Sequence, residues 1–183
     1  MTLTTVIDVI GRISLWSGRV SALLVPPLVF AMVYEVVSRY FFDAPTQWAF
    51  EISYMLMGTI FTLGLSYCLR NDAHVNVDIL PSLLPARVNA VIEVLAFGGM
   101  TVLLVWLTIT LGEGVARTYR TGEGSGLSAW NPKVWPFRLV YTVGFALFSL
   151  QVFGRFLEAL LVLSGGKPPS HPDATVDEKA GAA

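Results

Sequence analysis

The sequence predicts an all-α integral membrane protein with four transmembrane helices, and three observations carry that reading. Of 183 residues, 54% are hydrophobic and only 14% charged, against about 25% charged in a soluble domain. The mean hydropathy is +0.64. The apolar residues also fall in four long runs, with most charges gathered between them. Such a composition excludes disorder for most of the chain and leaves no stretch for a separate soluble domain. A net charge of −1 supplies no basic field for nucleic acid. The single cysteine, Cys68, forms neither an internal disulfide nor a thiolate metal site.

A spanning helix needs about 20 mostly apolar residues, and the runs meet that length in order. The first span is expected over about 16–39, with an apolar core from Val20 to Ser38 broken by Glu35. Pro26 and Pro27 sit in its middle, where lost backbone donors bend a helix and call for packed neighbours. Asp8 ahead of Arg12 and Arg19, and the absence of a small-x-small cleavage site, argue against a secretory signal. Upstream, Leu3, Val6, Ile7, Ile10 and Ile13 recur at helical spacing, with Asp8 and Arg12 at i,i+4 on the other face. The expectation is a short N-terminal interfacial helix, the alternative a frayed terminus.

The second span is expected over 49–69, uncharged from Ile52 to Leu69, and the third over 88–112, uncharged from Val94 to Gly112. The fourth is expected over 137–163, with Arg155 and Glu158 in its final third. Gly58, Thr62, Gly64, Gly98, Gly99 and Gly144 offer close helix approach, although glycine is common in membrane helices generally. Residues 1–163 thus form one membrane domain. Residues 164–183, polar and without periodicity, read as a disordered cytoplasmic tail that includes His171. The basic residues lean weakly toward an N-in/C-in topology. Arg12, Arg19, Arg70, Arg87, Arg155, Lys167 and Lys179 then lie inside, and Arg39, Arg117, Arg120, Lys133 and Arg138 outside.

Ionisable residues near membrane depth are costly and usually paired. Glu35 lies one turn before Arg39, and Glu51 opens the second span beside Trp48. The short connection between these spans would let Arg39 and Glu51 meet. Glu93 has Arg87 within two turns and Arg70 across a loop. A proton or cation path and structural ion pairing are both open, and the absence of an acid at any span centre favours pairing.

The second connection offers Asp72, His74, Asn76 and Asp78 at alternating positions. It lacks the ligands and glycine turn of a calcium loop and the His or Cys set of a zinc site, so no metal is expected. His74 and Asp78 read instead as ordering a polar hinge, followed by an amphipathic stretch from Ile79 to Pro85. The third connection, about 113–138, combines a glycine-rich flexible turn around Glu123 and Ser125 with Trp130, Lys133 and Trp135. The tryptophans suit a headgroup belt, and the loop also suits a partner outside the membrane. The sequence shows no catalytic set, and without a histidine inside any span no haem cofactor is expected.

On these residues the chain resembles the small membrane subunit, DctQ-like, of tripartite ATP-independent periplasmic (TRAP) transporters. The resemblance rests on Glu35 through Arg39-Tyr40-Phe41, on Trp48 and Glu51, and on His74-Val75-Asn76-Val77-Asp78. It continues through Ser128-Ala129-Trp130-Asn131-Pro132, Trp135-Pro136 and Gly144, so that it covers roughly residues 10–163. One departure is Tyr141-Thr142-Val143, where many members carry a proline before the glycine.

The resemblance implies a non-enzymatic accessory subunit of a sodium-coupled organic-acid importer in the bacterial inner membrane. Its partners would be a large multi-spanning membrane subunit, a periplasmic substrate-binding protein and the lipid bilayer. Arg39, Trp48 and Glu51 would fix the first hairpin, and Glu123, Ser125, Trp130, Lys133 and Trp135 would face the binding protein. Two rival classes remain at this level: the membrane anchor of a redox complex, and a self-sufficient small homo-oligomeric transporter.

Overall fold

The computed structural model describes residues 3–71 and 86–164, with side chains from 5 and from 88 onward in the two stretches. Its regular elements are the helices α1 (Leu3–Leu23), α2 (Val25–Phe41), α3 (Ala49–Arg70), α4 (Ala86–Thr121) and α5 (Trp135–Leu163). Four stretches are long and apolar enough to cross a membrane: Thr5–Phe41, Ala49–Arg70, Val88–Thr121 and Trp135–Leu163. The all-helical architecture with four membrane-length helices follows from the four apolar runs.

The prolines act at the start of α2. Pro26 and Pro27 have no N–H, so the carbonyls of Ala22 and Leu23 lose their helical donors. The break is one residue wide. The Leu24 N–H is shared between the carbonyls of Val20 and Ser21, both at 3.2 Å, and Leu28 N–H returns to Leu24 at 3.2 Å. Proline is compatible with the first turn of a helix, so α2 resumes at once.

The helices form an open array with α3 and α5 at its centre. α3 packs against α1, α2 and α5, while α5 packs against α1, α3 and α4. The most apolar stretch of α5 is 39% buried and that of α4 only 11%, which marks α5 as interior and leaves most of α4 facing outward. Leu65 and Leu69 of α3, Leu104 and Leu107 of α4, and Phe148 and Val152 of α5 make the apolar core.

Two elements are longer than expected. α1 runs unbroken from residue 3 to 23 and buries Ile7, Ile10, Ser14, Ser17 and Ser21 along one stripe. Ile13, expected on the same apolar face, is 38% exposed. α4 has 36 residues and is about 54 Å long, well over the roughly 30 Å of a hydrocarbon core. Its last turns carry Glu113, Arg117 and Arg120 beyond the uncharged stretch. These charges mark where the apolar segment ends, while the helix itself continues.

Approach is close where α5 crosses α3. A Cβ at Gly144 would stand 2.8 Å from Thr62 Cβ and 3.1 Å from its backbone carbonyl carbon. Neither atom belongs to a flexible side-chain end, so the helices themselves would have to part. Gly144→Ala is therefore expected to destabilise the protein by about 1–3 kcal/mol, the usual cost of overpacking. Thermal melting in detergent would register this, and an unchanged melt would mean that the α3–α5 crossing has room for a methyl group.

Candidate functional site

One end of the array gathers the α2–α3 connection and the α4–α5 connection. This is the end where most of the singled-out polar residues lie, and each connection is closed by its own hydrogen bonds.

Glu35 organises the α2–α3 connection. Its Oε1 accepts from Arg39 Nε at 3.1 Å and from Nη2 at 2.5 Å, the i,i+4 geometry of an ion pair on one helix face. Its Oε2 accepts from the Thr46 backbone N–H at 3.0 Å and from the Thr46 hydroxyl. The chain reverses through Asp43 at φ 50°, a left-handed conformation that Asp tolerates better than most residues. Ala44 N–H then returns to the Ser38 carbonyl at 3.0 Å. Trp48 precedes α3 and stacks on Tyr34 of α2, with ring centroids 5.6 Å apart and planes at 29°.

The expected Arg39–Glu51 bridge is not formed. Arg39 is taken by Glu35, its near neighbour on the same helix, and the Arg39 side chain is 57% exposed. Glu51 is fully buried, at 0% exposure. Its Oε1 accepts from the Ser128 hydroxyl, 77 residues away in the α4–α5 connection. Its Oε2 has no hydrogen-bond partner among the described residues.

The α4–α5 connection is shorter and more closed than the glycine-rich sequence suggested. It spans 122–134 and pairs with itself: Ser125 N–H donates to Pro132 O at 3.0 Å and Val134 N–H to Glu123 O at 3.1 Å. Gly124 and Lys133 form an antiparallel bridge. The tight corners use Gly122 at φ 64°, Gly126 at φ 65° and Asn131 at φ 41°, and Asn131 Oδ1 accepts from Gly126 N–H at 2.9 Å. Ser128 does double duty, since its Oγ also accepts from Trp130 N–H at 3.1 Å. The loop is therefore a folded cap over the start of α3, with Leu127 59% and Trp130 46% exposed on it.

The cap is anchored to both flanking helices. Arg138 Nη1 donates to Thr118 Oγ1 at 2.6 Å, and Arg138 Nη2 lies 3.6 Å from Glu123 Oε1. Trp135 meets Tyr119 edge-on at 5.4 Å between centroids.

The structure thus brings Glu51 together with the 122–134 cap and Glu35 together with Arg39. Glu93 is exposed on α4 and makes no ion pair among the described residues. The side chain of Arg87, the His74 and Asp78 hinge, the stretch from Ile79 to Pro85 and the tail expected from 164 lie outside the described residues, Ser164 excepted. Among the described residues no group of three or more His, Cys, Asp or Glu could hold a metal ion.

Several bonding partners of the singled-out residues carried little signal in the sequence. Ser128, Thr46, Thr118 and Arg138 each hold a singled-out residue in place. A second missed feature is a polar seam at membrane depth. Ser14 donates to Gln151 Oε1 at 2.6 Å, Ser17 meets Ser66 at 2.7 Å and donates to Leu63 O at 3.0 Å, and Ser21 donates to Ile60 O at 2.8 Å. The signal for it is the recurrence of small polar residues at 14, 17 and 21 on one face of an apolar helix.

Four membrane-length helices with an apolar exterior define a multi-pass membrane protein. A family model described as the DctQ component of tripartite ATP-independent periplasmic transporters matches residues 28–162. That is more than half of the chain, and the protein belongs to this family. The family is a transporter component and not an enzyme family. No curated protein and no solved structure matches the chain.

Proposed function

We propose that this chain is the small, non-catalytic scaffold subunit of a sodium-coupled, binding-protein-dependent TRAP importer of an organic acid. It sits in the bacterial inner membrane beside a large multi-spanning subunit that holds the substrate and sodium sites. The observation that carries the reading is the family match, which runs through both braced connections. The chain lies N-in/C-in, so that the α2–α3 and 122–134 connections face the periplasm and the N-terminal end of α1 lies at the cytoplasmic interface.

Within this reading, Glu35, Arg39, Trp48 and Glu51 shape the periplasmic end. The 122–134 cap presents Trp130, with Glu123, Ser125, Lys133 and Trp135 around it, to the substrate-binding protein. Its internal pairing supports that role, because a pre-folded loop loses little conformational freedom on docking. His74 and Asp78 order the cytoplasmic connection, and Arg87 and Glu93 belong to the same end.

The test is uptake of candidate organic acids in cells that carry the large subunit and the binding protein, with and without this chain. Sodium-dependent uptake that disappears without the chain, and that the chain alone does not support in proteoliposomes, is the expected result. Transport by the chain alone would replace this reading with that of a self-sufficient homo-oligomer.

A further inference from the structure

Away from the braced end, an apolar groove runs along α1. Its walls come from Val9, Ile13 and Val20 of α1, Leu63 of α3 and Leu147 of α5, and Arg12 and Trp16 line it as well. Arg12 and Arg19 are exposed, and neither is ion-paired among the described residues. Asp8, one turn before Arg12, is exposed as well and is not bonded to it.

The packing sets the depth of these cations. α1 runs antiparallel to α3: a Cβ at Gly11 would stand 3.3 Å from Arg70 Nε, one at Gly18 would meet the Tyr67 ring, and Ser21 bonds Ile60. Arg12 is therefore level with Arg70, the last residue of α3, while Arg19 lies about 10 Å further along the helix, within the span. An isolated cation at that depth on an outward face is costly. Arg19 answers by turning back along the helix, with its guanidinium 5.8 Å from the centroid of the Trp16 ring. This is the direction in which helical side chains lean, and a long cationic side chain snorkels the same way. Arg12 lines the groove itself, and Arg19 stands against Trp16, which lines it as well.

We propose that this groove binds an anionic phospholipid, with its headgroup drawn to the two unpaired cations Arg12 and Arg19 beside Trp16 and one acyl chain lying along the groove. Guanidinium matches phosphate bidentately, and the two cations favour a headgroup of net negative charge over a zwitterionic one, whose ammonium they would repel. The apolar walls take the chain that is covalently attached to that headgroup. The site depends on membrane insertion and not on the transporter assignment.

The test is native mass spectrometry of the full chain in mild detergent, titrated with phosphatidylglycerol or phosphatidylcholine of identical acyl chains. The expected result is one phosphatidylglycerol bound at least about tenfold more tightly than phosphatidylcholine, equivalent to roughly 1.4 kcal/mol. The double variant R12Q/R19Q should remove that preference. Val20→Trp, which fills the groove and keeps both charges, should weaken binding of both lipids. R117Q/R120Q, at the opposite end of the array, should change nothing. Equal binding of the two lipids by the unmodified chain, or a preference that survives R12Q/R19Q, would overturn the proposal. So would a photo-crosslinker at position 16 that, in native membranes, captures another protein rather than lipid.

Discussion

Replacing Glu51 with alanine should release the 122–134 cap from the start of α3. The Glu51 carboxyl is the acceptor for Ser128, and Ser128 in turn receives Trp130 N–H, so one deletion unties the middle of the loop. A hydrogen bond to a carboxylate contributes about 2 kcal/mol, which corresponds to roughly a thirtyfold change in an opening equilibrium. Hydrogen exchange at Ser125–Lys133 should speed up by about that factor. Glu51→Gln keeps the acceptor oxygen and should leave exchange close to normal. Ser128→Ala should resemble Glu51→Ala, and the double variant should add little to either, because both remove the same bond. Independent, additive effects would show that Glu51 and Ser128 act through different partners.

The second large effect is expected at Ser17, deep in the seam between α1 and α3. Ser17 is 6% exposed and its hydroxyl lies 3.0 Å from Leu63 O and 2.7 Å from Ser66 Oγ. Ser17→Ala removes those bonds without adding volume. Interhelical hydrogen bonds in membrane proteins average about 0.6 kcal/mol, so the melt should move only slightly. Ser17→Leu adds a branched side chain against the Leu63 carbonyl and the Ser66 hydroxyl, and overpacking costs about 1–3 kcal/mol. The leucine variant should therefore melt far below the alanine variant and lose the protection of α1. Equal melts for the two would mean that α1 is not held by close packing.

Particular residues show what was legible before the structure. The spans were legible because an uncharged run such as Ile52–Leu69 has one physical interpretation at that length. The extent of α1 was hidden because its buried stripe changes from Ile7 and Ile10 to Ser14, Ser17 and Ser21, and an apolar periodicity stops at the first serine. α4 was underestimated because Glu113 ends the apolar run without ending the helix. The Glu35–Arg39 pair was local and readable from its spacing. The partner of Glu51 was not, since one serine 77 residues away carries no pattern. The glycines at 122 and 126 suggested a flexible turn, yet their positive φ values close the cap. A local ion pair on one helix also outcompetes a bridge between helices, so Arg39 never reaches Glu51.

The central claim is that this chain is one component of a larger transporter, and copurification tests it most directly. The tagged chain would be purified from native membranes in mild detergent and its companions identified by mass spectrometry. The account predicts a stoichiometric, large, many-spanning membrane protein, with lower yield for Glu51→Ala than for Glu51→Gln. A stable homo-oligomer free of such a protein, or a haem- or flavin-bearing companion, would contradict it.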